Sequence, residues 1–227
     1  MICYGKAELY EKVATIKQNI GLEKDSYGID LIELIKNQNV VVESLEFKTK
    51  GLRGMAIIGN DYDKDIIFLN KKRSAKEQNY DCGHEFIHLS IHREEEHKTF
   101  NCYETAIPNQ NSYLEWHANE GAAELFIPYK IFIPMVANMI GYDSDYISID
   151  YAKKELANIF CVPETVIKFR LENLKYELHQ YYNGVDISNI RILSTNQQLR
   201  KKINIISLNE VSDNSFYKYM DSFYSFA

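Results

Sequence analysis

The sequence contains no CxxC pair. Its four cysteines, Cys3, Cys82, Cys102 and Cys161, are scattered along the chain. Neither a disulfide framework nor a cysteine zinc site follows from that spacing, and a reducing cytoplasm is the expected compartment. A long uninterrupted apolar run is also missing. The most lipid-like stretch, "LFIPYKIFIPMVANMIGY" (125–142), is broken by Pro128, Lys130, Pro134 and Asn138, which predicts a buried loop and helix rather than a membrane span. The opening "MICYGKAELYEKVATIKQNI" reaches charged residues at once, and no signal peptide is expected there. Positive charge is not in excess: 26 Lys and Arg stand against 32 Asp and Glu, a formal net charge of -6. That balance works against general attraction to phosphate backbones, so direct nucleic-acid binding is not expected. No internal repeat and no low-complexity linker divides the chain.

What remains is ordinary globular composition over 227 residues, 45% hydrophobic and 26% charged, enough for one domain with an extension. Apolar residues at Leu9, Val13, Ile16 and Ile20 have the period of a surface helix over about 7–20. "DLIELIKNQ" repeats that character, with Asp30 placed to cap it. "VVVESLEF", "LRGMAIIG" and "DIIFLN" then read as three short strands. The helical period returns over 75–92, and "REEEHK" (93–98) reads as a solvated loop. A further helix is expected from near Tyr113 to about Phe126, ended by Pro128. Two more helical segments separated by "CVPE" are expected over 151–177, followed by an Asn- and Ser-rich tail that ends in "SFYKYMDSFYSF".

Chemistry concentrates in "DCGHEFIHLSIH" (81–92). Residues four apart lie on one helical face, so His84 and His88 project side by side and can share one metal ion. Glu85 sits about a quarter-turn away, where it can accept a proton from water beside the metal without being a ligand. The HExxH pattern alone arises by chance in roughly one such chain in a hundred, so context must support it. Five of the six histidines fall between His84 and His117. Ile91 and Glu94 stand where a metzincin needs Gly and a third His, which excludes that class. One cation cannot be gripped by His84, His88 and His92 from a straight helix, and His92 is set aside as a bystander. The open choice for a third ligand is then a second helix. In "YLEWHANEGAAELFIP" (113–128), Glu115 and Asn119 share a face, as possible ligand and as hydrogen-bond partner of a ligand histidine. His117, about half a turn from Glu115, is a rival ligand or a transition-state donor. Ala118, Gly121, Ala122 and Ala123 would let this helix approach the first closely.

These blocks resemble the ImmA/IrrE family of zinc metallopeptidases. In that family HExxH is followed by a helix of the type E-x-x-A-N-x-F-A-A-x-L-L-M-P. Here Glu115, Ala118, Asn119, Ala122, Ala123, Leu125 and Pro128 match it in register. "NKKRSAKEQNYDCGHEFIH", with Arg73 and Tyr80, resembles the family's lead-in, and "LANIFCVPETVIKFRLENL" (156–174) its closing helix pair. The likeness covers about residues 28–175. It implies an α+β, zincin-like fold in which a small three-stranded sheet packs against helices and a central helix carries HExxH. It implies a Zn2+ ion on His84, His88 and Glu115, Glu85 as general base and Asn119 in support. Tyr80, Arg73 and His117 are weaker candidates for stabilising an oxyanion. Residues 1–177 would form the metallopeptidase domain, closing in a helical hairpin at about 151–177, and 178–227 an extension without an assigned role. The implied activity is cytoplasmic endopeptidase action on a protein substrate, a helix-turn-helix transcriptional repressor of a mobile element or stress response.

His117 stands where an acidic or polar residue is common in the family, and two further residues depart from the pattern. Ile87 stands where the family has a small residue and Gly121 where it has Phe, changes that conserve volume if the helices touch there. The alternative is a DNA-binding or protein-binding regulator on a degenerate zincin scaffold. Lys168 and Arg170 on the second helix of the hairpin would face DNA, with Glu164 and Glu172 diluting that charge.

Overall fold

A computed structural model describes residues 4–36, 38–60, 62–105, 110–140 and 148–211. The chain divides into two compact units, one comprising Met1–Tyr4 and Leu9–Phe126, the other Gly5–Glu8 and Ile127–Ala227.

In the first unit, helix α1 (Lys6–Asn19) buries Leu9, Val13 and Ile16, the expected apolar face. The short α2 (Leu31–Ile35) starts on Asp30, whose side chain accepts from the Glu33 N–H at 3.2 Å. Strands β1 (Val40–Leu45), β2 (Leu52–Ile57) and β3 (Asp65–Asn70) lie where the alternating sequence puts them, and β2 and β3 bury every second residue. The sheet has four strands rather than the three expected, in the order β1-β3-β2-β4. The fourth, β4 (Thr99–Tyr103), follows the charged loop. Its "TFNCY" alternates, with Phe100 and Cys102 buried, but it is only five residues long and follows a charge run, so it does not stand out as a strand until it pairs with β2. β1 runs parallel to β3, while β2 pairs antiparallel with β3 and β4.

Across this sheet lies α3 (Ala75–Ile91), which packs against β2, β3 and β4 and against α4 (Ser112–Phe126). Its start is fixed by a capping box: the Ser74 hydroxyl accepts from the Glu77 N–H, and Glu77 Oε2 accepts from the Ser74 N–H at 2.9 Å. Every residue from Tyr80 to Leu89 is buried. A helix enclosed on all sides must satisfy its polar groups internally, which is why the polar residues within it are informative. Gly83 is required by the packing, since a Cβ there would sit 2.3 Å from the Phe126 ring. Ile87 faces Gly121, where an added Cβ would meet Ile87 Cγ2 at 3.1 Å. The two departures from the family pattern therefore occupy one contact.

The second unit holds α5 (Tyr129–Met139), α6 (Ile149–Ile159), α7 (Glu164–Asn173), α8 (Lys175–Tyr182) and α9 (Thr195–Arg200). The expected helix pair is α6 and α7, joined through Cys161, which adopts a left-handed φ of 54°. Arg170 is buried and its Nε donates to the Ile127 carbonyl at 3.1 Å, and Lys168 pairs with Glu164 at 3.1 Å. Buried Lys6 meets Glu177 Oε1 at 3.1 Å, and the same oxygen accepts from the Leu193 N–H at 3.0 Å. The aromatic segment 215–226 lies outside the described residues. Among the described residues no helix is long and apolar enough to cross a membrane, and Cys82, Cys102 and Cys161 are free thiols.

Candidate metal centre

The i, i+4 spacing does what helical geometry requires. His84 and His88 emerge from one face of α3, both fully buried, with their Nε2 atoms 3.2 Å apart. From α4, Glu115 turns towards them, Oε2 lying 3.4 Å from His84 Nε2 and Oε1 3.5 Å from His88 Nε2. These separations are long for a charge-assisted hydrogen bond, which spans about 2.7–2.9 Å. A tetrahedral zinc with bonds of about 2.0–2.2 Å places its ligand atoms about 3.3–3.6 Å apart. The separations found here are close to that spacing, each histidine facing a different Glu115 oxygen, and with one atom from each residue the three donors lie within 4.8 Å of one another. The donor set of two imidazoles and a carboxylate suits a catalytic zinc, which takes three protein ligands and keeps its fourth position for water or substrate.

The protonation states agree with this geometry. Burial is the main cause that lowers the His88 pKa to about 4, against the opposing pull of Glu115, so the imidazole is neutral near pH 7, the form that ligates. Burial works to raise Glu115, but the adjoining His84 and His88 rings outweigh it and hold the carboxyl at about 2. Asn119 orients one ligand. Its Nδ2 donates to the Glu115 carbonyl at 2.9 Å, which leaves Oδ1 facing His84 Nδ1 at 3.2 Å. The Nδ1–H of His84 therefore points at Asn119 and its bare Nε2 at the other donors.

Glu85 is fully buried, and neither carboxylate oxygen has a hydrogen-bond partner. Burial, followed by the charges of Glu115 and Asp81, pushes its pKa well up. A cation beside it would act in the opposite direction. Glu85 lies over β2, where a Cβ on Gly54 would come within 2.7 Å of its Oε1. Only glycine leaves room for the carboxylate. The approach is held by Arg53, whose Nε donates to Asp81 Oδ1 at 3.0 Å, fastening β2 to α3 one turn before Glu85. Cys102 on β4 comes within 4.8 Å of donors on His84 and Glu85, an alternative grouping. Burial and the nearby Glu85 charge push the Cys102 thiol well up, so the thiolate needed for ligation is disfavoured. His88 and Glu115 carry no such cost.

The other sequence candidates are engaged elsewhere. The Tyr80 hydroxyl donates to the Asn119 carbonyl at 3.4 Å. Arg73 Nε donates to Asp81 Oδ2 at 2.5 Å, and its guanidinium also reaches Glu77 and Glu104 at 3.3 and 3.7 Å. His117 turns Nδ1 to His92 Nε2 at 3.2 Å and Nε2 to the Tyr4 carbonyl at 3.4 Å. His92, set aside in the sequence, is in contact after all: its Nδ1 lies 2.9 Å from His88 Nδ1. It extends the i, i+4 series to the nitrogen of His88 that faces away from Glu115. Gly54 and Cys102 come from strands remote in sequence. For Gly54 one signal exists, a glycine within a strand, which often marks close approach by another group. For Cys102 there is none.

No curated protein matches the chain. Residues 35–172 match the profile of the IrrE N-terminal-like domain, a peptidase family. The match spans more than half of the sequence and takes in α3, α4 and every residue of the histidine–glutamate cluster. The chain belongs to the ImmA/IrrE family of peptidases.

Proposed function

We propose that the protein is a zinc-dependent endopeptidase with a zincin-like arrangement of α3 and α4. His84, His88 and Glu115 would hold the metal, and Glu85 would serve as general base. The observation that carries this reading is the convergence of three donors within 4.8 Å of one another beside a buried carboxylate that has no hydrogen-bond partner. Zinc at this position would supply Lewis acidity towards a peptide carbonyl and towards water. Glu85 Oε1 or Oε2 would take a proton from the attacking water and return it to the leaving nitrogen. Gly54 keeps that carboxylate sterically free, and Asn119 keeps the His84 proton on Nδ1. The activity is assigned to residues 1–177, in the cytoplasm, with 178–227 as an extension.

The substrate would be an intracellular protein, a helix-turn-helix repressor. Reading the α6–α7 pair as a DNA-binding element has less support, because Arg170 is buried on a backbone carbonyl and Lys168 is paired with Glu164. The test combines metal analysis with cleavage of a repressor encoded beside this protein. Glu85→Gln is expected to retain one zinc while cleavage falls about 100- to 10,000-fold, the usual worth of a positioned proton acceptor. Full cleavage by Glu85→Gln would remove Glu85 from the mechanism. Wild-type protein without zinc would remove the metal site.

A further inference from the structure

Four imidazoles stand in an unbroken row. His84 Nε2 faces His88 Nε2 at 3.2 Å, His88 Nδ1 faces His92 Nδ1 at 2.9 Å, and His92 Nε2 faces His117 Nδ1 at 3.2 Å. The row ends where His117 Nε2 meets the Tyr4 backbone carbonyl at 3.4 Å. His88, His92 and His117 are all buried. A neutral imidazole carries one N–H and one bare nitrogen, so the contacts from His88 through His92 to His117 each need one donor and one acceptor, whereas the Nε2 atoms of His84 and His88 are the pair that a shared cation would join. Fixing the tautomer of His117 then fixes His92 and His88.

The Tyr4 end is fixed. A carbonyl oxygen only accepts, and its two lone pairs serve both Tyr113 Oη at 3.0 Å and His117 Nε2. His117 must therefore carry its proton on Nε2, leaving Nδ1 bare. His92 answers with a proton on Nε2 and a bare Nδ1, which in turn calls for the proton of His88 on Nδ1. The His88 Nε2 that faces Glu115 and His84 is then left with its lone pair exposed. The reverse order would set a bare His117 Nε2 against a carbonyl oxygen, two acceptors facing each other. Metal-ligating histidines ordinarily gain this orientation from one carboxylate or carbonyl bonded directly to the second nitrogen. Here the carbonyl is two rings removed.

We propose that His92 and His117 are positioning residues that transmit the acceptor character of the Tyr4 carbonyl to His88 and hold its Nε2 ready for the metal. The proposal rests on the reading of His84, His88 and Glu115 as zinc ligands and adds two residues that touch neither metal nor substrate. His92→Phe keeps an aromatic ring but removes the acceptor for His88 Nδ1–H, and zinc affinity is expected to fall about 10- to 100-fold. His117→Phe, one ring further from the metal, is expected to weaken zinc in the same direction. His92→Asn, whose Oδ1 can stand where Nδ1 stood, is expected to restore most of the loss.

Affinity is read by chelator competition on the full chain with zinc alone. The wild-type protein is examined in parallel by imidazole nitrogen NMR, so the conclusion does not depend on any variant folding. In the zinc-loaded chain the proton is expected on Nδ1 of His88 and on Nε2 of both His92 and His117. A proton on Nδ1 of His92, or zinc affinity unchanged in His92→Phe, overturns the relay while leaving the metal site standing. Absence of zinc binding by the wild-type chain overturns the site and the relay together.

Discussion

Both compact units bury charged side chains, but they treat them differently. In the second unit, Glu177 is fully buried and its Oε1 receives both the Lys6 ammonium and the Leu193 N–H, although its Oε2 has no partner. In the first unit, Glu85 is equally buried and neither of its oxygens is bonded. The two glutamates are equally buried, although α8 otherwise buries only Leu178 while α3 buries every residue from Tyr80 to Leu89. An ion pair satisfied within the protein holds the chain together. A carboxylate left bare above a glycine costs stability, and the proposed metal site would account for that cost.

The contrast is sharpest in stability. Lys6→Met leaves Glu177 buried without its cation and is expected to cost about 3–5 kcal/mol, the range for breaking a buried pair from one side. Thermal or urea unfolding measures this, and a loss below about 1 kcal/mol would erase the distinction between the two glutamates. Glu85→Met should act in the opposite sense. Replacing an unsatisfied buried carboxyl with an apolar side chain of similar length is expected to stabilise the metal-free protein by about 1–3 kcal/mol while abolishing cleavage. Destabilisation in that variant would mean that Glu85 has a structural role.

Asn119→Ala removes the acceptor for His84 Nδ1–H and is expected to weaken zinc about 10- to 100-fold in chelator competition, with little change in unfolding. The smallest effect concerns the contact between α3 and α4. Gly121→Ala is expected to destabilise because its Cβ meets Ile87 at 3.1 Å. Ile87→Val in the same chain should recover part of that loss, a coupling of about 0.5–1 kcal/mol in a double-mutant cycle. Strict additivity would separate the two positions.

Much of this was legible in the sequence, for identifiable reasons. His84, Glu85 and His88 lie within five residues of one helix, where the period alone sets their relation. β1, β2 and β3 announce themselves by β-branched alternation, and α4 begins within one residue of its expected start. The volume exchange between Ile87 and Gly121 could be anticipated because both departures lie on the two helices that had to meet. Non-local facts were hidden. β4 includes the strand formers Thr99, Phe100 and Tyr103, but its five residues follow a charge run and need the edge that β2 offers. His92 was set aside on the correct argument that it cannot reach the same cation. It reaches the other nitrogen of His88 instead, a choice of atom that helical spacing does not signal. Gly54 under Glu85 depends on a strand about thirty residues upstream. Arg170 and Lys168 looked like a basic face until their partners, the Ile127 carbonyl and Glu164, were seen.

The central claim is that His84, His88 and Glu115 grip a single zinc ion. The most direct measurement is a zinc-edge anomalous difference map from crystals of the full chain grown with zinc. One peak bonded to His84 Nε2, His88 Nε2 and a Glu115 carboxylate oxygen, at about 2.0–2.2 Å each, is the expected result. A map without a peak between the two imidazoles, with Glu115 turned to solvent, would contradict it.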